Sequence, residues 1–363
     1  MNLDGVYRVS EDTYEKWTRR AVPQENDLIL AREAPAGNVA IVRNGPQVCL
    51  GQRTVHLRPD PKQIEPAFLC YYLLAPPQQG ALLAGETGAT SKHVNMKDIR
   101  RLPLKGLPKL NVQQAIGRVL SAYDDLIENN RRRIQLLEQA ASLLYREWFV
   151  HLRFPGHEHV AITDGVPEGW VEGVVADFYS TGSGGTPSRK NPDFYTGEIP
   201  WVKTQELTGG FILSTGERIT DEAVKRSSAK LFPQYTVLIA MYGATIGQTA
   251  ILSVPSTTNQ ACCAVIPRKP GTSYAHAYLF FCHHKTDLVG LGQGAAQNNV
   301  SQQVIKSFKM VLPRKELLEA FSESVSPLFE QIEILQKNNI NLAKARDLLL
   351  PRLMNGVVVV VVV

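Results

Sequence analysis

Two long stretches of the chain carry apolar residues in alternating steps of four and three. In the first, Ile116, Leu120, Tyr123, Ile127, Asn130, Ile134, Leu137, Ala141, Leu144 and Trp148 keep this spacing. In the second, Phe321, Val325, Leu328, Ile332, Leu335, Asn339, Leu342, Leu349 and Leu353 keep it, with Arg346 interrupting. A step of 3.5 residues sustained over roughly four to five heptads predicts a narrow coiled-coil seam rather than a broad amphipathic face. The predicted helices cover residues 108–155 and 313–356, each on the order of 60 Å long at 1.5 Å per residue. A globular segment lies between them, so pairing with each other makes them antiparallel. Asn130 and Asn339, polar positions on the seam, would fix its register at a cost in stability.

Elsewhere the periods are mixed. TVLIAMYGATIGQTAIL, from Thr236 to Leu252, reads as two short strands around a glycine-containing turn, and ACCAVIP supplies another strand. AYLFFCHH (Ala277 to His284) and AFLCYYLL (Ala67 to Leu74) read as buried helices. SQQVIKSF and NMKDIRRL each suggest a short helix or turn leading into a final strand. With no regular βαβ alternation, the fold class is α+β.

The chain also matches itself at an offset of about 205 to 210 residues, far beyond a solenoid period. RVSEDTYEKWTRRAVPQ from Arg8 aligns with RITDEAVKRSSAKLFPQ from Arg218, which pairs Gln24 with Gln234. Gly37, Ala40 and Ile41 fall on Gly247, Ala250 and Ile251; Gln52 and Pro59 fall on Gln260 and Pro267. GATSKHVN from Gly88 falls on GAAQNNVS from Gly294. Two related globular domains are therefore expected, at 1–107 and 156–312. The section near Gly169 to Gly210 has no counterpart before Leu3. The first domain is expected to lack about 40 to 45 N-terminal residues by this offset, which would leave a sheet edge unpaired.

Length agrees with this division, since 363 residues predict two or three domains. The balance of 39 Lys and Arg against 34 Asp and Glu gives a net charge of +5, which permits a polyanionic partner without demonstrating one. Five cysteines, Cys49, Cys70, Cys262, Cys263 and Cys282, form no CxxC pair. This excludes a disulfide scaffold or zinc ribbon and points to a reducing, cytoplasmic setting. The N-terminus has no signal-peptide pattern, and no run of 18 apolar residues predicts a membrane span. The Val357–Val363 run is read as an artefact extraneous to the fold.

Catalytic motifs are approached but not completed. GLGQGA from Gly290 lacks the full dinucleotide-loop spacing, and GSGGTP (Gly182 to Pro187) is not followed by GK[ST]. NPDFY at Asn191 resembles the Asn-Pro-Pro-aromatic motif of amino-methyltransferases, but Asp193 stands at the second proline; it reads as a turn preset by Pro192. Cys282, His283, His284 and His276 lack a completing ligand cluster and read as a buried thiol beside solvated imidazoles. PDPK at Pro59 lacks the remaining carboxylate of a nuclease site.

Polar loops with aromatics suit nucleic-acid reading instead. Arg and Lys can meet guanine edges or phosphates, and Gln and Asn can pair with adenine. In the second domain the candidates are Lys203, Gln205, Tyr242, Thr245, Asn259, Gln260, Gln297 and Asn298, with Arg189 and Lys190 expected on phosphates. In the first they are Arg32, Gln52, Arg53, Ser91 and Lys92.

VPEGW, SGGTPSRKNPDFYTGEIPWVKTQEL (Ser183 to Leu207), GATIGQTAI and the ending LLLPRLMNG closely resemble specificity subunits of type I restriction-modification systems. LILAREAPAGNVAIV followed by CLGQRTVHLRPD resembles the first target-recognition domain of that family, so the resemblance runs from Met1 to Gly356. It implies two α/β target-recognition domains separated by an antiparallel coiled coil, each reading half of a split double-stranded DNA target. It implies no catalysis by this chain, docking of methyltransferase subunits (two are expected), and association with restriction subunits through the complex. S-adenosylmethionine, ATP and magnesium belong on those partners, and this chain is expected to bind no cofactor or metal and no membrane. Two other classes stand against it: an autonomous DNA-modifying enzyme, and an assembly scaffold without DNA binding.

Overall fold

The computed structural model describes residues 6–33, 35–43, 45, 47–84, 93–292 and 299–360. The chain opens with helix α1 (Glu11–Thr18) and strands β1 (Leu28–Ala31), β2 (Val39–Ile41) and β3 (Thr54–Leu57). Helices α2 (Pro66–Leu74), α3 (Pro76–Leu83) and α4 (Met96–Arg101) follow, and then the long α5 (Leu110–Tyr145), which ends in a π-turn at Arg146–Val150. The middle of the chain carries β4 (Ile162–Thr163), β5 (Val166–Pro167), β6 (Val171–Val174), α6 (Val175–Phe178), β7 (Tyr179–Ser183) and β8 (Ile199–Val202). Next come β9 (Phe211–Ile212), β10 (Arg218–Ile219), α7 (Asp221–Lys225), β11 (Leu231–Phe232), β12 (Val237–Ala240), β13 (Thr249–Leu252), β14 (Ser256–Thr258) and β15 (Cys262–Pro267). Helices α8 (Tyr274–His283), α9 (Lys285–Gly290) and α10 (Gln302–Lys306), strand β16 (Lys309–Leu312) and the long α11 (Lys315–Met354) complete it. The mixture is α+β, as the periodicity predicts.

Two compact units divide this chain, Met1–Glu128 with Asn339–Val363, and Asn129–Asn338. The division falls inside both long helices, so each unit holds one stretch of α5 and one of α11.

In the first unit an antiparallel sheet has the order β2-β1-β3 among the described residues. Leu28 and Leu30 turn inward onto the buried helix α2, with Phe68 and Leu69, and onto Ile116 and Leu120 of α5. Leu353 of α11 closes the same core, with Leu349 and Leu350 packed against it. Farther along α5, Asp124 binds Arg346 of α11 and accepts the Tyr71 hydroxyl at 2.5 Å. Rising numbers on one helix meet falling numbers on the other, so the helices run antiparallel here. Arg346, the interruption of the heptad pattern, is thus a paired residue rather than a defect.

In the second unit the same arrangement of long helices recurs. Ile134, Ala141, Tyr145 and Trp148 share a core with Phe321, Val325, Ile332 and Leu335, and the Phe149 and Phe321 rings sit 4.6 Å apart. The seam residues assigned from the heptads are all buried or half-buried, Tyr123, Leu137, Leu144, Leu328, Asn339, Leu342 and Leu349 being the half-buried ones. Pro327 and Pro351 lie inside α11, each removing one amide bond without ending it.

The second unit's main sheet has the order β7-β15-β12-β13-β9, beside a sheet β10-β8-β14-β11 and the pairs β16-β6 and β4-β5. Its centre repeats the first unit bond for bond. Leu28 pairs Ile41 and Leu57 where Val237 pairs Ile251 and Val265. The amide of Gly37 donates to Ala31 O (2.9 Å) and that of Gly247 to Ala240 O (2.8 Å), both glycines having positive φ. A Cβ there would meet Gln79 of α3 or Val289 of α9, at 2.5 and 2.7 Å.

Two expectations are corrected. Asn26 and Tyr235 take the same left-handed position, their amides donating to Val42 O and Leu252 O, so Gln24 corresponds to Pro233. The alignment of Gln24 with Gln234 is displaced by one residue, because sparse identities do not fix where a one-residue gap falls. The final strand expected after NMKDIRRL is also not formed: Leu102–Leu107 is coil, whereas its relative β16 pairs with β6. β6 lies in the section with no first-half counterpart, and a strand without a neighbour has nowhere to place its amides.

Candidate functional site

The second unit gathers most of its candidates on adjoining loops. β8 and β14 run parallel, with Trp201 opposite Thr257 and Val202 opposite Thr258. The Asn259 amide then donates to Val202 O at 2.9 Å, which sets Asn259 and Gln260 beside Lys203. The Gly184–Pro187 segment lies along the same place: Gly185 N donates to Thr258 O (2.9 Å), Trp201 Nε1 donates to Gly185 O (3.0 Å), and Thr186 binds the Gln260 side chain. A Cβ on Gly184 would stand 2.1 Å from Thr258 O, so the glycines of GSGGTP serve close packing rather than phosphate binding.

Arg189 and Lys203 meet on one carboxylate. Glu217 Oε2 lies 2.6 Å from Arg189 Nη1, and Glu217 Oε1 2.7 Å from Lys203 Nζ. Hydrogen bonds from Arg189 and then Lys203 outweigh desolvation and hold the Glu217 carboxyl down at about 2. Two cations against one fixed anion leave the cluster with a surplus positive charge. The Arg189 guanidinium lies 4.0 Å from the centre of the Tyr195 ring and 5.2 Å from Trp201, a cation–π cradle. NPDFY folds as the expected turn, a 3-10 stretch Pro192–Tyr195 that supplies this ring.

Gln205 is exposed on the next 3-10 turn, Thr204–Glu206. Glu206 braces that turn by accepting the Lys203 amide (2.7 Å) and the Gly216 amide (2.6 Å). Asn259 Oδ1 accepts the Ala261 amide at 3.2 Å, so part of that side chain serves its own loop. Tyr242 and Thr245 sit on the β12–β13 turn, Tyr242 exposed and Thr245 half-buried. The adjoining Met241 amide donates to Ala261 O, which ties this turn to Gln260. Lys190 is exposed beside Arg189. Gln297 and Asn298 lie outside the described residues, as do Ser91 and Lys92 of the first unit.

In the first unit, the Arg32 amide donates to Arg53 O (2.8 Å), and Arg32 Nε donates to Val94 O (3.0 Å). The Arg32 side chain is therefore partly committed to the fold. Gln52 and Arg53 are exposed in the turn before β3, with Arg53 Nε 3.9 Å from Glu33. The matching bonds in the second unit run from Met241 N to Ala261 O and from Val300 N to Met241 O. Arg32, Gln52 and Arg53 thus occupy the places of Met241, Gln260 and Ala261.

Sequence reasoning missed Glu217, Tyr195, Trp201 and Thr186. Tyr195 and Trp201 stood within quoted motifs, but nothing local marks Glu217 as the anchor of two distant cations. The reading of the cysteine–histidine group needs correction. Cys282 is exposed, and His276 is buried, its Nδ1 2.9 Å from the Tyr179 hydroxyl. Burial pushes His276 down to about 4, so the ring is neutral at neutral pH. His276 and Cys282 stand six residues apart on α8, a net rotation of roughly 240° about the helix axis, so one side chain points inward and the other outward. Among the described residues no group of three or more His, Cys, Asp or Glu could hold a metal, and no helix is long and apolar enough to cross a membrane. GLGQGA begins where α9 ends and continues outside the described residues.

Comparison with known proteins places this geometry. The chain is 26% identical over 363 aligned positions to the type I restriction enzyme MjaIX specificity subunit of Methanocaldococcus jannaschii, covering 97% of this chain and 82% of that one. It is 24% identical to the HindI specificity subunit of Haemophilus influenzae, over 83% of this chain and 79% of that protein. Its fold is similar to that of the type I restriction-modification S subunit from M. genitalium, with a TM-score of 0.57, 17% identity, and coverage of 91% of this chain and 83% of that one. The model of the type I restriction modification DNA specificity domain matches twice, at residues 5–139 and 167–344. The chain therefore belongs to the family of type I restriction-modification DNA specificity subunits.

Proposed function

We propose that this chain reads a bipartite double-stranded DNA target, one half-site by each unit, and performs no reaction itself. The recognition segments are 1–107 and 156–312; the long helices at 108–155 and 313–356 dock methyltransferase subunits, two per chain, and restriction subunits join through that complex. S-adenosylmethionine, ATP and magnesium act on the partners, and the complex works in the cytoplasm. The observation that carries this reading is a shared backbone frame with different side chains on it. Arg32 and Arg53 in one unit stand where Met241 and Ala261 stand in the other, while Gln52 matches Gln260. One frame with two sets of readers suits two dissimilar half-sites.

The test is to assemble the full chain with methyltransferase subunits and map methylated bases across a genome. A motif of two separated, fixed segments is expected, with duplex affinity falling steeply as salt rises because phosphate contacts release counterions. Equal affinity for every duplex would overturn the reading. So would methyl transfer to DNA by the purified chain alone with labelled S-adenosylmethionine.

A further inference from the structure

We infer that Arg189 reads a guanine in the half-site of the second unit, and that Glu217 is the positioning residue that holds it in the reading pose. The inference rests on the DNA-reading role proposed above and goes further by naming the base, the reader and its support. Three observations fix the arginine before DNA arrives. The loop carrying it is pinned at Gly184 and Gly185 against β14. The ring beneath the guanidinium is tied to that same loop, since the Tyr195 hydroxyl donates to Pro187 O at 2.7 Å. Glu217 holds one terminal nitrogen, Nη1. The side chain nevertheless remains 56% exposed, with Nε and Nη2 left outside the Glu217 contact.

A guanidinium resting 4.0 Å from a ring centre and paired at one nitrogen has fewer orientations open to it before binding. The fork left free meets two acceptors lying in one plane, and the exposed Lys190 beside it offers the compact point charge that a phosphate contact accepts without such orientation. Guanine presents two acceptors, O6 and N7, in the plane of the base at the major-groove edge, which a guanidinium fork matches. Lys203 completes the device. By taking the second oxygen of Glu217 it leaves the trio with one net positive charge, so the clamp does not cancel the charge the base must meet.

The experiment uses the full chain assembled with methyltransferase subunits, in wild-type form and as Glu217→Gln and Arg189→Lys. The readouts are methylation maps and duplex affinities over a range of salt. Preference at one G·C position should fall roughly tenfold or more in both variants. Affinity for unrelated duplexes should hold or rise in Glu217→Gln, with a steeper salt dependence, because a fixed anion has been removed. Replacing the guanine by 7-deazaguanine should weaken the wild type more than it weakens Arg189→Lys. A uniform loss across all sequences with preference intact would make Arg189 a phosphate contact and overturn the inference, as would no change at all. A wild-type complex without sequence preference would instead defeat the DNA-reading proposal itself. Thermal unfolding checks the variants, and if Glu217→Gln does not fold, Arg189→Lys and the modified base decide alone.

Discussion

The two units share a three-stranded frame and differ in what flanks it. In the second, β7 and β9 extend the sheet on both sides, and β12 and β13 are buried at every position. In the first, β1 alternates between buried and half-buried residues, and neither β2 nor β3 has a further strand partner among the described residues. The unlike flanks change what each frame requires at its start. Asp27 opens β1 as a buried carboxylate, taking Arg58 at 2.7 and 2.9 Å, the Gln24 amide at 2.7 Å and His56 at 2.6 Å. Thr236 holds the same place before β12, and its hydroxyl donates only to Pro233 O. Duplicated backbones can thus be held by charge where a sheet is narrow and by apolar burial where it is wide.

The largest effect should come from attacking a contact that only the second unit has. In Gly184→Val the Cβ would overlap Thr258 O and the Thr258 side chain, and backbone cannot yield as a flexible side-chain end does. We expect a loss of about 3 kcal/mol or more, read by thermal unfolding, together with loss of preference in one half-site only. Wild-type stability in this variant would show that the loop is not packed on β14.

A smaller effect should follow from Asp27→Asn in the first unit. Burial raises the Asp27 carboxyl, but the bonds from Arg58, Gln24 and His56 outweigh it and bring it to about 2 from the usual 3.8. A carboxyl depressed in the folded state adds stability that is present above pH 4 and is lost as pH falls from about 4 to about 2. Removing the charge leaves Arg58 and His56 facing a neutral amide and should cost roughly 2 kcal/mol at neutral pH. The acid limb of stability between those two values should flatten for this unit. An unchanged acid profile would place the source of acid sensitivity elsewhere, since Thr236 cannot supply it.

How much of this was legible beforehand follows from the range of each interaction. The long helices, the hairpin at Thr236–Leu252 and the buried helices α2 and α8 announce themselves through local periodicity, which one stretch of chain fully carries. The duplication was legible for the same reason, but not its one-residue slip at Gln24. The strand after NMKDIRRL was misjudged because β16 depends on β6, more than a hundred residues earlier. The reader loops were identifiable by composition alone. Their organisation by Glu217, and the pairing of Arg346 with Asp124, join residues whose spacing follows no rule in one dimension.

The smallest effect probes a left-handed backbone position that both units share with different residues. Asn26 and Tyr235 both sit at positive φ, 71° and 64°. Asparagine adopts this region with little cost, whereas a bulky side chain there costs roughly 1–2 kcal/mol. Tyr235 recovers that by stacking on Tyr274, with ring centres 4.8 Å apart and planes at 15°, a contact worth about 0.5–1.5 kcal/mol. Tyr235→Asn should therefore remove a strain and a stack of similar size and shift stability by less than about 1 kcal/mol. Asn26→Ala has no such compensation, because nothing is removed except the residue that tolerates the turn, and it should cost about 1 kcal/mol. Thermal unfolding of the two variants tests the difference. A loss of about 3 kcal/mol in Tyr235→Asn would mean that the stack far exceeds the strain, so that the second unit relies on aromatic packing where the first relies on turn chemistry alone.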